Sequence, residues 1–334
     1  MKAITMADVA EQAGVSKSTV SQFLNERFDY MGKETKVKIE KAIEELGYSP
    51  NIVARSLKQK STMTIGVIVA NILHVFSTQV IRAIEDYCNE SNFHIIVCNA
   101  DDDPTKEKRY IDMLRAKQVD GIIAFPTGGN AELYNKLIKA NYPVVFMDRI
   151  LTGVPVPTVM LDNNKASLIA VSQLVKDGYQ RIGMIAPPLS SCVTSRVERI
   201  DGYKQALQKH GIPFNPDYLV SGEITDLEVK IHHMLTQAEP PEAIVALNDR
   251  VLFEILTYAK KQQLTIPKDL ALIGIDDVSY ASIYSPALTT IAQPAFQMGE
   301  KAAELLLSRI RNKSNEGILD VYRFEPNLIK RESC

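Results

Sequence analysis

From about residue 62 onward the chain keeps repeating one unit, a short run of apolar, largely β-branched residues followed by a stretch with helical periodicity. The runs fall at 64–70 (TIGVIVA), 94–99, 121–125, 143–147, 158–161, 181–186, 243–247 and 270–275. Continuous apolar runs of this length suit parallel strands covered by helices on both faces. Amphipathic helices are predicted between them at 78–90, 105–117, 165–176, 250–263 and 297–311. That is more βα units than one sheet holds comfortably, so the pattern predicts two doubly wound lobes with a cleft between them. Ligands of such sheets sit at the carboxyl ends of the strands.

Residues 1–60 have a different texture: helical pattern throughout and no β-branched run. The charge changes at the same place. The head carries ten Lys/Arg against eight Asp/Glu, a balance of +2, within a 334-residue chain whose formal net charge is −2. The body is therefore acidic, and even the head has a weak electrostatic footprint for a nucleic-acid binder.

In the head, Thr5 with Asp8 three residues later has the form of a capping box, starting a helix near Met6. Met6, Val9, Ala10 and Ala13 share one helical face, Gly14 permits a tight turn, and Ser16 is placed as the next N-cap. In the second helix Val20, Phe23 and Leu24 point inward, while Lys17, Ser18, Ser21 and Gln22 lie on the opposite face. Gln, Ser and Lys are residues that read base edges in a major groove, although a solvated face on an ordinary helical hairpin would have the same composition. A third helix over 33–46 has Val37, Ile39, Ile43 and Leu46 to close a small core and Gly47 to end it. Ser49 and Pro50 then open a short helix from Asn51 to about Lys58. At about eight residues it is too short to be stable alone. Ala54, Arg55, Leu57 and Lys58 suit either a charged linker or a helix that folds in the minor groove against a second copy of itself, with Leu57 as a wedge between base steps.

These residues together resemble the lactose/galactose repressor (LacI/GalR) family. The head carries the resemblance in ITMADVA (4–10), AGVS (13–16), TVS (19–21), LN (24–25), GYSPN (47–51) and ARSL (54–57). The body carries it in IGV (65–67), DGII (120–123), Val144 to Asp148, Arg199 with Gly202 and Tyr203, Asn248-Asp249, IGIDD (273–277) and LTT (288–290). The SQFLN and FDYMG segments are also similar to repressors of ketodeoxygluconate utilisation. The family often has Arg where this chain has Gln22, and commonly a Ser N-cap where it has Gly32.

The resemblance implies a homodimeric, ligand-responsive transcriptional regulator, most simply a repressor of a sugar or sugar-acid operon acting on a pseudo-palindromic double-stranded DNA operator. Its DNA-contacting residues would be Thr5, Ser16, Lys17, Ser18, Thr19, Ser21, Gln22, Asn25, Asn51, Ala54, Arg55, Leu57 and Lys58. The implied organisation is a helix-turn-helix head at 1–48, a hinge helix and linker at 49–61, and a body resembling periplasmic sugar-binding proteins. One lobe would run over 62–161 with 291–318 and the other over 162–290 with 319–334. Asp148, Ser195, Arg196, Arg199, Asn248 and Asp276 would meet the effector through hydrogen bonds, and Phe76 would stack on a sugar ring. Arg149, Arg196, Arg199 and Arg250 lie beside predicted strand ends, so the cleft is either cationic and suited to an acidic sugar, or has its arginines paired with groups such as Glu198 and Asp249.

The rival reading is a sugar-binding protein without DNA activity, which would need a secretory leader and would not carry the head. The N-terminus lacks an apolar leader region and no apolar run approaches 18 residues, so a cytoplasmic location is expected. Cys88, Cys98, Cys192 and Cys334 form no CxxC and no metal-ligand spacing, so neither metal nor disulfide framework is expected. No GxGxxG follows a strand and no hydrolytic constellation is evident, so no cofactor and no enzymatic activity are expected. The C-terminal residues show no heptad repeat that would support a coiled-coil tetramer.

Overall fold

The structure is a computed structural model that describes residues 4–29, 31–49, 61–189, 193–312 and 320–334. The chain separates into two compact units, Met1–Thr62 and Met63–Cys334.

The head is three helices, α1 (Met6–Ala13), α2 (Lys17–Leu24) and α3 (Lys33–Leu46). The Asp8 carboxylate accepts from both the Thr5 backbone N–H and its hydroxyl, at 2.7 Å each, which fixes the start of α1. Gly14 ends it at φ 65°, a left-handed cap that a side chain would disfavour. Val9, Ala10, Ala13, Val20, Ile39, Ala42 and Tyr48 form the small core. Val37, expected inside, is 61% exposed. It stands two positions from Ile39, about 200° around the helix, so only the series Ile39, Ala42, Ile43 and Leu46 shares the inner face. The aromatic loop after α2 is tied down by Phe28, which meets the Phe23 ring edge to face at 5.8 Å and carries the Lys36 ammonium 3.9 Å above its centroid.

In the body, the first lobe's sheet has the order β11-β5-β4-β3-β1-β2 and the second lobe's the order β12-β10-β9-β8-β6-β7. The strands of the first are β1 (Thr64–Val69), β2 (His94–Asn99), β3 (Gly121–Ala124), β4 (Val144–Met147), β5 (Thr158–Leu161) and β11 (Val321–Phe324). Those of the second are β6 (Ile182–Ala186), β7 (Leu219–Ser221), β8 (Ala243–Ala246), β9 (Ala271–Ile275), β10 (Thr289–Ala292) and β12 (Asn327–Ile329). All pairings are parallel except β10 with β12.

The first lobe is covered by α4 (Val75–Glu90) and α11 (Ala295–Asn312) on one face and by α5 (Pro104–Ala116) and α6 (Ala131–Lys139) on the other. The second is covered by α7 (Asn163–Lys176) with α8 (Thr194–Lys209), and by α9 (Ile224–Leu235) with α10 (Asp249–Lys261). Two glycines set how closely helices approach. A Cβ at Gly202 of α8 would lie 2.3 Å from the Asn164 carbonyl oxygen, and one at Gly299 of α11 would lie 2.8 Å from the Val80 carbonyl oxygen.

The boundaries between lobes differ from those expected. Residues 289–292 complete the second lobe as β10, pairing with β9, before α11 returns to the first. Residues 321–324 do not rejoin the second lobe; they extend the first lobe's sheet, Val321 to Phe324 pairing in parallel with Thr158 to Leu161. Only from Asn327 does the tail enter the second lobe. Both segments are edge or near-edge pairings whose stability comes from the strand beside them, a partner that local periodicity does not reveal.

Candidate DNA-reading face and effector cleft

In the head, the Ser16 side chain caps α2 by accepting from the Thr19 N–H at 3.1 Å, and its oxygen also lies 2.6 Å from the Ser18 hydroxyl and 2.8 Å from that of Thr19. Lys17, Ser18, Gln22 and Asn25 are exposed and Ser21 is half-buried, while Val20 on the opposite side is fully buried. The expected polar face is therefore formed. Asn25 donates one amide N–H to the Ser21 carbonyl at 2.6 Å, so one of its two donors is already engaged within the helix end. Thr5 is exposed but spent on the α1 cap. Asn51, Ala54, Arg55, Leu57 and Lys58 lie outside the described residues.

The seven residues expected at the effector site, Phe76, Asp148, Ser195, Arg196, Arg199, Asn248 and Asp276, all line one cavity between the lobes. They come from both sides. Phe76 stands in the first turn of α4 and meets the Phe125 ring edge to face at 6.3 Å. Asp148 follows β4 and Asp276 follows β9, both with left-handed backbones (φ 68° and 86°) that turn each carboxylate off its strand end. Ser195 of α8 donates to Asp148 at 3.3 Å. Arg199, 5% exposed, donates to Asn163 at 2.8 Å and to the Leu247 carbonyl at 2.7 Å. Asn248 caps α10, its side-chain oxygen accepting from the Val251 N–H at 2.9 Å.

Two neighbouring carboxyls are driven in opposite directions. Burial pushes Asp276 above the usual carboxylate range, with the Arg199 charge pulling the other way and the Asp249 charge adding to the rise. Burial also opposes the charge of Asp249, but a hydrogen bond from His74, the charge of His74 and two backbone N–H groups hold that carboxyl below its usual range. The Asp249 carboxylate bonds His74 Nδ1 and accepts from the Val75 N–H at 2.8 Å, so it caps α4 of the first lobe from α10 of the second. Thr194 adds another tie across the cleft, donating to the Ile150 carbonyl at 2.9 Å.

Sequence reasoning did not single out His74, Asn71 or Gln293, which also line the cavity. His74 lies just ahead of α4, whose start at Val75 precedes the predicted position 78, and Gln293 lies just past β10, a strand not predicted. Gln293 donates to Asp276 at 2.6 Å while its own carbonyl oxygen is buried without a hydrogen bond. Arg250 does not reach this cavity; it lines a separate groove with Phe253 and Tyr280. Among the described residues no group of three or more His, Cys, Asp or Glu side chains is placed to hold a metal ion.

Residues 5–51 match the bacterial regulatory proteins of the lacI family, and residues 171–334 match a periplasmic binding protein-like domain. Over 332 residues the chain is 50% identical to a protein of Paenibacillus polymyxa named Probable HTH-type transcriptional regulator EndR, covering 98% of both chains. The chain belongs to the lacI family. It is accordingly an HTH-type transcriptional regulator. It is also 33% identical over 338 residues to the HTH-type transcriptional regulator KdgR of Bacillus subtilis, covering 98% of this chain and 97% of that one. Its fold matches a crystal structure of the lac repressor dimer bound to operator and the anti-inducer ONPF, with a TM-score of 0.86 at 26% identity over 99% of both chains. No helix among the described residues is long and apolar enough to cross a membrane.

Proposed function

We propose that this regulator is a homodimeric repressor that senses a small carbohydrate in the cleft between its lobes and transmits its presence to DNA-bound heads. The observation that carries the reading is the convergence of Phe76, Asp148, Ser195, Arg196, Arg199, Asn248 and Asp276 on one cavity. An aromatic ring beside fixed carboxylates, an amide and a guanidinium is a set that grips a ring face and vicinal hydroxyls together. The charge inventory favours an uncharged sugar over a sugar acid. Arg149 and Arg196 already face Asp102 and Asp148, Arg199 is bonded within the protein, and Arg250 is elsewhere.

On this reading Lys17, Ser18, Ser21 and Gln22 meet base edges in each half-site, Ser16, Thr19 and Asn25 support that face, and the 51–58 segment folds in the minor groove of the operator with Leu57 as the wedge. Ligand that prefers one angle between the lobes shifts the spacing of the two hinge segments, and a coupling of about 1 to 3 kcal/mol changes operator affinity roughly 5- to 150-fold. The test is a thermal-shift screen of neutral sugars, sugar acids and purines on the full-length protein, followed by operator binding with each hit. A sugar that raises Tm and changes operator affinity is expected; stabilisation by purines alone would overturn the carbohydrate reading. Leu57→Ala is expected to weaken specific DNA binding far more than non-specific binding, and equal losses would remove the wedge.

A further inference from the structure

Two guanidiniums, those of Arg149 and Arg196, line the cleft wall side by side, the first supplied by the first lobe and the second by α8 of the second. Both are largely buried, with side chains 7% and 12% exposed. Burial and the neighbouring Arg149 charge both press against the charge on Arg196. A pair of buried arginines aimed at one ligand cavity is the usual means of gripping a carboxylate or phosphate. In this chain the carboxylate is built in. Asp102, in the turn after β2, sends one oxygen to Arg149 at 2.7 Å and the other to Arg196 at 3.3 Å. Its backbone is locked for the purpose, with a left-handed φ of 54° and its N–H donated to the Ala70 carbonyl at 2.7 Å. Asp102 does not itself line the cavity, and its side chain is 33% exposed. Arg149 Nε, buried beside Asp148 at 3.5 Å, makes no hydrogen bond and remains a donor without an acceptor.

We propose that Asp102 sets the ligand class of the cleft: by neutralising, together with Asp148 beside Arg149, the charges of Arg149 and Arg196 and engaging an N–H of each, it excludes anionic sugars and reserves the cavity for uncharged ones. The assignment rests on the reading of the cleft as the effector site. It also makes Asp102 a tie between lobes, since the carboxylate and Arg149 belong to the first lobe and Arg196 to the second.

The experiment is calorimetric titration of the full-length wild type, Asp102→Asn and Asp102→Glu with inorganic phosphate, glucuronate, galacturonate, glucose and galactose at fixed ionic strength. Asp102→Asn keeps the shape and removes the charge, so it is expected to bind phosphate and the uronates at least about tenfold more tightly than wild type, equivalent to about 1.4 kcal/mol. Asp102→Glu keeps the charge and is expected to behave as wild type. Adding Arg196→Gln to Asp102→Asn is expected to abolish the gain. Asp102→Ser supplies the same comparison if the amide disturbs folding. Wild type binding uronates as tightly as Asp102→Asn, or folded Asp102→Asn and Asp102→Ser proteins that gain no anion affinity, would overturn the proposal. Phosphate probes the arginine pair without any sugar. A phosphate gain in Asp102→Asn with no response of either protein to any sugar would therefore sink the carbohydrate reading and leave Asp102 in its role. Neutral-sugar binding without any anion gain would do the reverse.

Discussion

The outer face of α2 and the cleft between the lobes are both polar surfaces made to meet a ligand, yet they are built in opposite ways. The α2 face is local. Lys17, Ser18, Ser21 and Gln22 fall within six consecutive residues on one short helix, and Lys17, Ser18 and Gln22 stand in solvent. The cleft is assembled from residues 70 to 293, and most of its polar groups are buried and already bonded within the protein. A local, exposed site can be altered one residue at a time without disturbing what supports it. A non-local, buried one cannot, because each side chain there also stabilises its neighbours.

The largest effect expected from that difference is at Arg199. It is 5% exposed, bonds Asn163 and the Leu247 carbonyl, and supplies the main favourable charge for Asp276. Arg199→Ala should cost about 3 to 5 kcal/mol of body stability and abolish ligand binding together, because it removes two buried hydrogen bonds from a charged donor, to Asn163 and the Leu247 carbonyl, worth about 1.5 to 3 kcal/mol each. Chemical denaturation alongside ligand titration checks both. Stability equal to wild type with ligand binding lost would show that the cleft is as modular as the head.

Gln22 is the matched case on the other side. Gln22→Ala should weaken operator binding by about 1 to 3 kcal/mol, concentrated at one base position, while stability stays within about 0.5 kcal/mol of wild type. Binding measured against an operator set varied at each base pair, with Tm recorded in parallel, tests it. A loss shared equally by all operators and by non-specific DNA would place Gln22 on the phosphates instead.

The same contrast explains what could be read in the sequence. The head was legible nearly residue by residue, because caps such as Thr5 with Asp8 and turns such as Gly14 are decided within three or four positions. Among its described residues Val37 was misplaced, an apolar residue that helical geometry puts on the outer side. In the body seven of the eight interior strands, all but β10, were legible because each is a largely apolar run, as Val144–Met147 is, buried throughout, and the edge strand β2 was legible from the apolar run inside it. Strands β7 and β11 were not, since their half-exposed residues are specified by the neighbouring strand. The cleft residues placed by family resemblance converge, but the groups that tune them were hidden. Asp102 is one carboxylate in a run of three at 101–103, and nothing local distinguishes it from Asp101, which pairs with Lys106, or Asp103, which caps α5. Only the fold brings Arg149 and Arg196 to it.

Ser16 sits at the point where the two kinds of site blur, and its effect should be the smallest of the three. Its side chain accepts from the Thr19 N–H, a stabilising role, and touches the Ser18 hydroxyl on the exposed side of the helix. Removing an N-cap costs about 1 kcal/mol. Ser16→Ala should therefore speed amide hydrogen exchange across 17–24 in the full-length protein and leave the body's exchange unchanged. Ser16→Asn retains a capping oxygen and should restore protection. If DNA affinity returns with protection, Ser16 acts on the operator only by holding α2 in shape, and the α2 face depends on one internal bond in the way the cleft depends on many. If protection returns and affinity does not, the hydroxyl itself meets the DNA, and the face is as modular as its exposure implies.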